Sequence, residues 1–136
     1  MVSSVPEPLV VIVADDDDDL RALVTATLRA DGCTTLEARD GQELLALLDQ
    51  AAEHPGLRPD VLVSDVKMPR LSGLGVLEAL RRADWKLPVV MMTIVKDDSI
   101  RSVAERLGAA GVLRKPFQAE ELLAAVRGAH AASLRG

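Results

Sequence analysis

Four places along the chain carry residues whose types and spacing could do chemistry. Five consecutive aspartates, Asp15–Asp19, follow the apolar run Leu9–Ala14. Asp65 ends a second apolar run, Val61-Leu62-Val63-Ser64, and Met68-Pro69 and Ser72-Gly73 then supply turn chemistry. Thr93 closes Val89–Thr93, and Lys115-Pro116 follows Gly111–Arg114. Each functional group therefore stands where a buried strand should leave its sheet. Carboxylates, a hydroxyl and an ammonium gathered at one rim suit a cation and an anion held side by side.

The intervening elements decide whether these groups meet. Continuous apolar runs bounded by turn signals read as strands buried on both faces. Between them lie helical patterns: Leu20, Leu23, Val24, Thr27 and Leu28, ended by Asp31-Gly32, and Leu44, Leu47, Leu48 and Ala51, stopped by His54-Pro55-Gly56. A third uses Val76, Leu77 and Leu80. A fourth uses Ile100, Val103, Ala104 and Leu107, capped from Asp97-Asp98-Ser99, and the last spans Gln118–Ala129. With Thr34–Ala38 as a short strand, five strands alternate with five helices. That is an α/β, doubly wound parallel sheet covered on both faces.

In such a sheet the ligand site lies outside the carboxyl ends of the strands. Asp15, Asp16, Asp65, Thr93 and Lys115 all fall at that edge. Two like charges about 4 Å apart repel by about 4 kcal/mol at an effective dielectric of 20, so a carboxylate cluster there calls for a cation. Hard oxygen ligands that leave room for water and phosphate oxygens suit Mg²⁺, with Mn²⁺ as the alternative ion.

Together these pieces resemble the receiver domain of two-component response regulators, and the resemblance covers Leu9 to about Ala129. It rests on Asp15-Asp16, Asp65 with Met68-Pro69 and Gly73, Thr93, and Lys115-Pro116-Phe117, in that order. It implies a flavodoxin-like (βα)5 sheet in the order 2-1-3-4-5, with strands one and three flanking the crevice. Asp65 would be the phosphoacceptor, taking a phosphoryl group from a sensor histidine kinase or a histidine phosphotransfer protein. Asp16, Asp65 and the backbone carbonyl of Lys67 would ligate Mg²⁺, with Asp15 acting through a water on the ion. Thr93 and Lys115 would hold the phosphoryl oxygens, and a cis Lys115–Pro116 bond is expected. The chain would be a signalling domain that promotes its own phosphorylation and dephosphorylation, not a turnover enzyme. Its output and any homodimer would use the face built from 97–107, Gly111–Arg114 and Gln118–Ala129.

Two positions depart from the family pattern. Ile94 stands where receivers usually carry Ala or Gly, and Val112 where many carry an inward-turning Tyr or Phe. With Thr93 they form the expected switch. Both could instead pack together as aliphatic core. Asp17, Asp18 and Asp19 read as acidic residues favouring a helix N-terminus, with a register using Asp16 and Asp17 as the alternative.

Composition excludes several other functions. The chain has 136 residues, one domain's worth, with Met1–Pro8 as a flexible arm, 9–130 as the domain and 131–136 as a tail or the start of a linker. Apolar residues make up 49% but aromatics 1%, so the core is aliphatic. A net charge of −5 argues against a nucleic-acid surface, and Cys33 alone allows neither an internal disulfide nor a thiolate metal site. No apolar run suffices for a membrane span or signal peptide, so a cytoplasmic protein is expected. His54 and His130 read as bystanders and Trp85 as a surface residue. A dehalogenase-type phosphatase would need Thr or Val where Asp19, Leu20 or Arg21 stands, and five aspartates would repel a flavin phosphate. A pseudo-receiver that binds partners without being phosphorylated stays open. So does the choice between a stand-alone receiver and a piece of a longer regulator; no effector domain is expected after the last helix.

Overall fold

The computed structural model describes residues 8–54, 56, 58–94 and 98–135. The arm over 1–7, the Pro55 helix stop and the Asp97 part of the expected cap lie outside the described residues. The elements are β1 (Val10–Ala14), α1 (Asp18–Ala30), β2 (Thr34–Ala38), α2 (Gly41–Glu53), β3 (Val61–Asp65) and α3 (Gly73–Arg82). They continue as β4 (Val89–Thr93), α4 (Asp98–Arg106), β5 (Gly111–Arg114) and α5 (Ala119–Arg135). All strand pairs are parallel, in the order β2-β1-β3-β4-β5. The expected flavodoxin-like topology is the one found.

Side chains alternate across each strand, so every inner strand must be apolar on both faces. Val11, Val13, Val61, Val63, Val90 and Met92 point to one layer, where Val24 and Leu28 of α1 and Leu122 and Val126 of α5 cover them. Ile12, Leu62, Val89 and Met91 point the other way, against Leu44 and Leu48 of α2, Val76 and Leu77 of α3, and Ala104 of α4. Two aliphatic cores result, and the continuous hydrophobic runs are their consequence.

Three helix starts are capped by the residue types expected there. Asp17 accepts the amides of Asp19 at 3.0 Å and Leu20 at 3.1 Å, Asp40 that of Glu43 at 2.8 Å, and Ser72 that of Gly75 at 3.0 Å. Asp17 thus serves α1, with Asp18 and Asp19 in its first turn.

Several details differ from expectation. Leu23, although at helical spacing, is 63% exposed, because the layer over β1 and β3 is filled by Val24 and Leu28. The last helix does not stop at Ala129 but runs to Arg135, since Ala131-Ala132-Ser133-Leu134-Arg135 contains no breaker. His130 therefore lies within α5, not in a tail. Trp85 is partly buried against the α2–α4 core and sits under the Arg58 guanidinium at 5.6 Å.

Candidate functional site

The strand order brings the ends of β1, β3, β4 and β5 to one rim. At the end of β1, Asp15 is buried, its amide held by Ala38 O at 3.1 Å. Its carboxylate accepts the Asp17 amide on Oδ1 at 2.9 Å and the Lys115 ammonium on Oδ2 at 3.1 Å. Asp16, next along, is exposed. One carboxylate oxygen each from Asp15, Asp16 and Asp65 lie within 4.8 Å of one another.

Lys115 is the centre of charge compensation. Its Nζ lies 3.1 Å from Asp15 Oδ2 and 3.3 Å from Asp65 Oδ2, with only 14% of its side chain exposed. The Lys115–Pro116 bond is cis, and the Lys115 amide donates to Thr93 O at 2.8 Å. Thr93 is itself buried at the end of β4. Burial pushes the Asp65 carboxyl above its ordinary pKa; Lys115 opposes that rise, Asp15 adds to it, and the Lys67 amide, 3.4 Å from Oδ1, opposes it. Three carboxylates share one ammonium at this rim.

The residues present fit a small, hard cation. Every donor in the cluster is a carboxylate oxygen, the hard ligand type that Mg²⁺ takes, and one oxygen from each of the three residues lies within 4.8 Å of the others. Such an ion would supply charge neutralisation for oxygen-rich anions.

The loop after β3 is held by close backbone contacts. Gly73 N–H donates to Val66 O at 2.8 Å, and a Cβ on Gly73 would fall 2.0 Å from Asp65 O. A Cβ on Gly41 would fall 2.1 Å from Leu71 O. Arg70 adopts φ 75° in this loop and pairs with Asp40, Nε to Oδ2 at 3.5 Å. Gly41 and Arg70 were not legible as site supports, since the α2 start and the β3–α3 loop meet only in three dimensions.

The two departures from the family pattern separate in space. Ile94 is 71% exposed at the rim, whereas Val112 is half-buried opposite Met91 and packs on the α2–α4 core. They do not form a shared aliphatic core. Lys67 is exposed beside the carboxylates.

A model of the response regulator receiver domain family matches residues 11–127. The chain belongs to that family. It is 36% identical over 117 residues to the transcriptional regulatory protein CpxR of Klebsiella pneumoniae, covering 86% of this chain and 47% of the relative. It is 39% identical over 120 residues to the response regulator MprA of Mycolicibacterium vanbaalenii, covering 88% and 49% respectively. The receiver thus spans about half the length of the curated relatives it matches. Among solved structures it is similar to the receiver domain of Francisella response regulator 1452, with a TM-score of 0.83 and 28% identity over 92% of this chain and 98% of that one. It is also similar to the chemotaxis response regulator CheY4 of Vibrio cholerae, with a TM-score of 0.78 and 31% identity over 90% and 98%. This is a signalling receiver of the two-component class, and among the described residues no helix is long and apolar enough to cross a membrane.

Proposed function

We propose that the receiver takes a phosphoryl group from a phosphohistidine donor onto Asp65 in a Mg²⁺-dependent reaction. The observation that carries this reading is the Lys115 ammonium bridging Asp15 and Asp65 beside the three-carboxylate cluster. An Asp65 oxygen attacks phosphorus, the P–N bond breaks, and the electron pair leaves with the imidazole. Two anions must approach each other in that step, so positioning and charge neutralisation dominate the barrier. Asp15, Asp16, Asp65 and the Lys67 carbonyl would hold the ion, and Lys115 and the Thr93 hydroxyl would hold phosphoryl oxygens. The protein donor would be a sensor histidine kinase or a histidine phosphotransfer protein.

Output is assigned to the α4-β5-α5 face, which would also serve a homodimer. Arg101 Nη2 reaches Val112 O at 3.5 Å, and Arg114 lies 4.0 Å from Asp98. These contacts tie α4 to the strand that leads into Lys115. An interaction module that is never phosphorylated finds no support, because Asp15, Asp16, Asp65, Thr93 and Lys115 are all retained at strand ends.

The test is incubation with MgCl₂ and a small phosphodonor, followed by intact-mass and tandem mass spectrometry. One added phosphoryl group, labile in alkali, on Asp65 and absent from Asp65→Asn is expected. A modification on any other residue, or none with Mg²⁺ bound, overturns the assignment.

A further inference from the structure

Arg21 is a cation set inside an acidic turn, and the roles assigned above do not use it. Its side chain is 11% exposed, and its three nitrogens each have a different partner. Nη1 donates to the Asp15 carbonyl at 2.8 Å, Nη2 to Asp18 Oδ1 at 2.7 Å, and Nε to Glu37 Oε1 at 3.2 Å. These partners come from the end of β1, the first turn of α1 and the edge strand β2.

The first of these contacts bears on the crevice. The Asp15 amide is already fixed on Ala38 O at 3.1 Å. With its carbonyl fixed by Arg21, both peptides flanking Asp15 are held, including the one that leads into Asp16. A planar fork with fixed donor directions can do this; a single ammonium cannot reach three acceptors in the same geometry. Glu37 and Asp18 compensate the guanidinium's charge, so the clamp adds little positive field of its own to the crevice.

We infer that Arg21 is a positioning residue for the cation site: it sets the backbone from which Asp15 and Asp16 present their carboxylates. This rests on the Mg²⁺ reading proposed above. It makes an unusual demand, because orientation and electrostatics predict opposite signs. Removing a positive charge beside a carboxylate cluster should by itself strengthen Mg²⁺ binding. Loss of a clamp behind metal ligands weakens it, by about tenfold or more where such supports have been removed.

The experiment is calorimetric titration of the full chain with MgCl₂, parent against Arg21→Gln and Arg21→Lys. It is run at about 0.1 M and about 1 M KCl, between which the Debye length falls from about 10 Å to about 3 Å. Circular dichroism melts without metal report folding separately. Expected is an about tenfold loss of affinity in Arg21→Gln that persists in high salt, and a loss in the charge-conserving Arg21→Lys as well. Unchanged or tighter Mg²⁺ binding by Arg21→Gln, or full rescue by Arg21→Lys, overturns the positioning role while leaving the metal site intact. If Arg21→Gln does not fold, Arg21→Lys decides alone. Failure of the parent to bind Mg²⁺ instead overturns the metal reading itself.

Discussion

Gly73 faces the Asp65 carbonyl so closely that a Cβ in its place would lie 2.0 Å from that oxygen. The contact is backbone to backbone, so no rotamer change can relieve it. Gly73→Ala must push the start of α3 away from the end of β3, and overpacking of this kind costs about 1–3 kcal/mol. Gly128 is the opposite case: it lies within α5 and a Cβ there would meet nothing within 4 Å. Gly128→Ala should stabilise by up to about 1 kcal/mol, since only helix propensity changes. Urea unfolding of both variants checks the pair, and the two shifts should have opposite signs.

A second prediction concerns Lys115. Its ammonium is what offsets a carboxylate on Asp15 whose side chain is 1% exposed. Breaking a buried pair from one side leaves the remaining charge uncompensated, at a cost of about 3 kcal/mol. Lys115→Met should therefore lower the melting temperature of the metal-free protein. Mg²⁺ should restore more stability to this variant than to the parent, because the ion no longer competes with an ammonium. Thermal melts with EDTA and with MgCl₂ measure both effects, and equal Mg²⁺ increments would contradict this account.

Asp65 carries a third, pH-dependent prediction. Its folded-state pKa lies above the ordinary carboxylate value, chiefly through burial. The native state thus holds this proton more tightly than the unfolded chain, whose Asp titrates near about 3.9. That stabilising contribution is complete below the unfolded pKa and is lost as pH rises through the folded pKa. Asp65→Asn cannot ionise, so without metal it should melt higher than the parent at neutral pH, with the gap closing towards about pH 3.5. Mg²⁺ should reverse the ranking. At 100 times its dissociation constant it stabilises the parent by about 2.7 kcal/mol, and Asp16→Asn should lose most of that gain.

The strands were legible because β1, β3 and β4 are each buried on both faces, which forces continuous apolar runs. Their spatial order was not, since Ile12 pairing with both Leu36 and Leu62 leaves no trace in spacing. The order came instead from the family resemblance. Within the aspartate run, charge alone could not separate ligand from cap; Asp17 is distinguished by the amides of Asp19 and Leu20 that it accepts. Leu23 shows the limit of periodicity, which places a residue on a helix face but not at its buried centre. Arg21 carried a faint signal, an acidic residue three positions earlier in Asp18. Its contacts with Asp15 O and Glu37 depend on β2 lying beside β1, and no local pattern encodes that.

Ile94 carries the last prediction. A large aliphatic side chain, 71% exposed, directly follows Thr93 at the rim of the crevice. Water contact makes it a poor contributor to the core, so Ile94→Ala should change stability by no more than about 0.5 kcal/mol. β-branching leaves it few rotamers, so it cannot readily fold away from an incoming group. On the function proposed above, donor and hydrolytic water would both approach the phosphoryl position past the residue next to Thr93. A smaller side chain should ease both approaches alike. Ile94→Ala should raise the rates of phosphorylation by a small donor and of hydrolysis on the order of fivefold each, equivalent to about 1 kcal/mol of barrier. The level of phosphoprotein at steady state would then barely move, whereas its turnover would. Single-turnover phosphorylation and decay measurements separate the two rates. Rates equal to the parent's would show that Ile94 stands beside the path and does not narrow it.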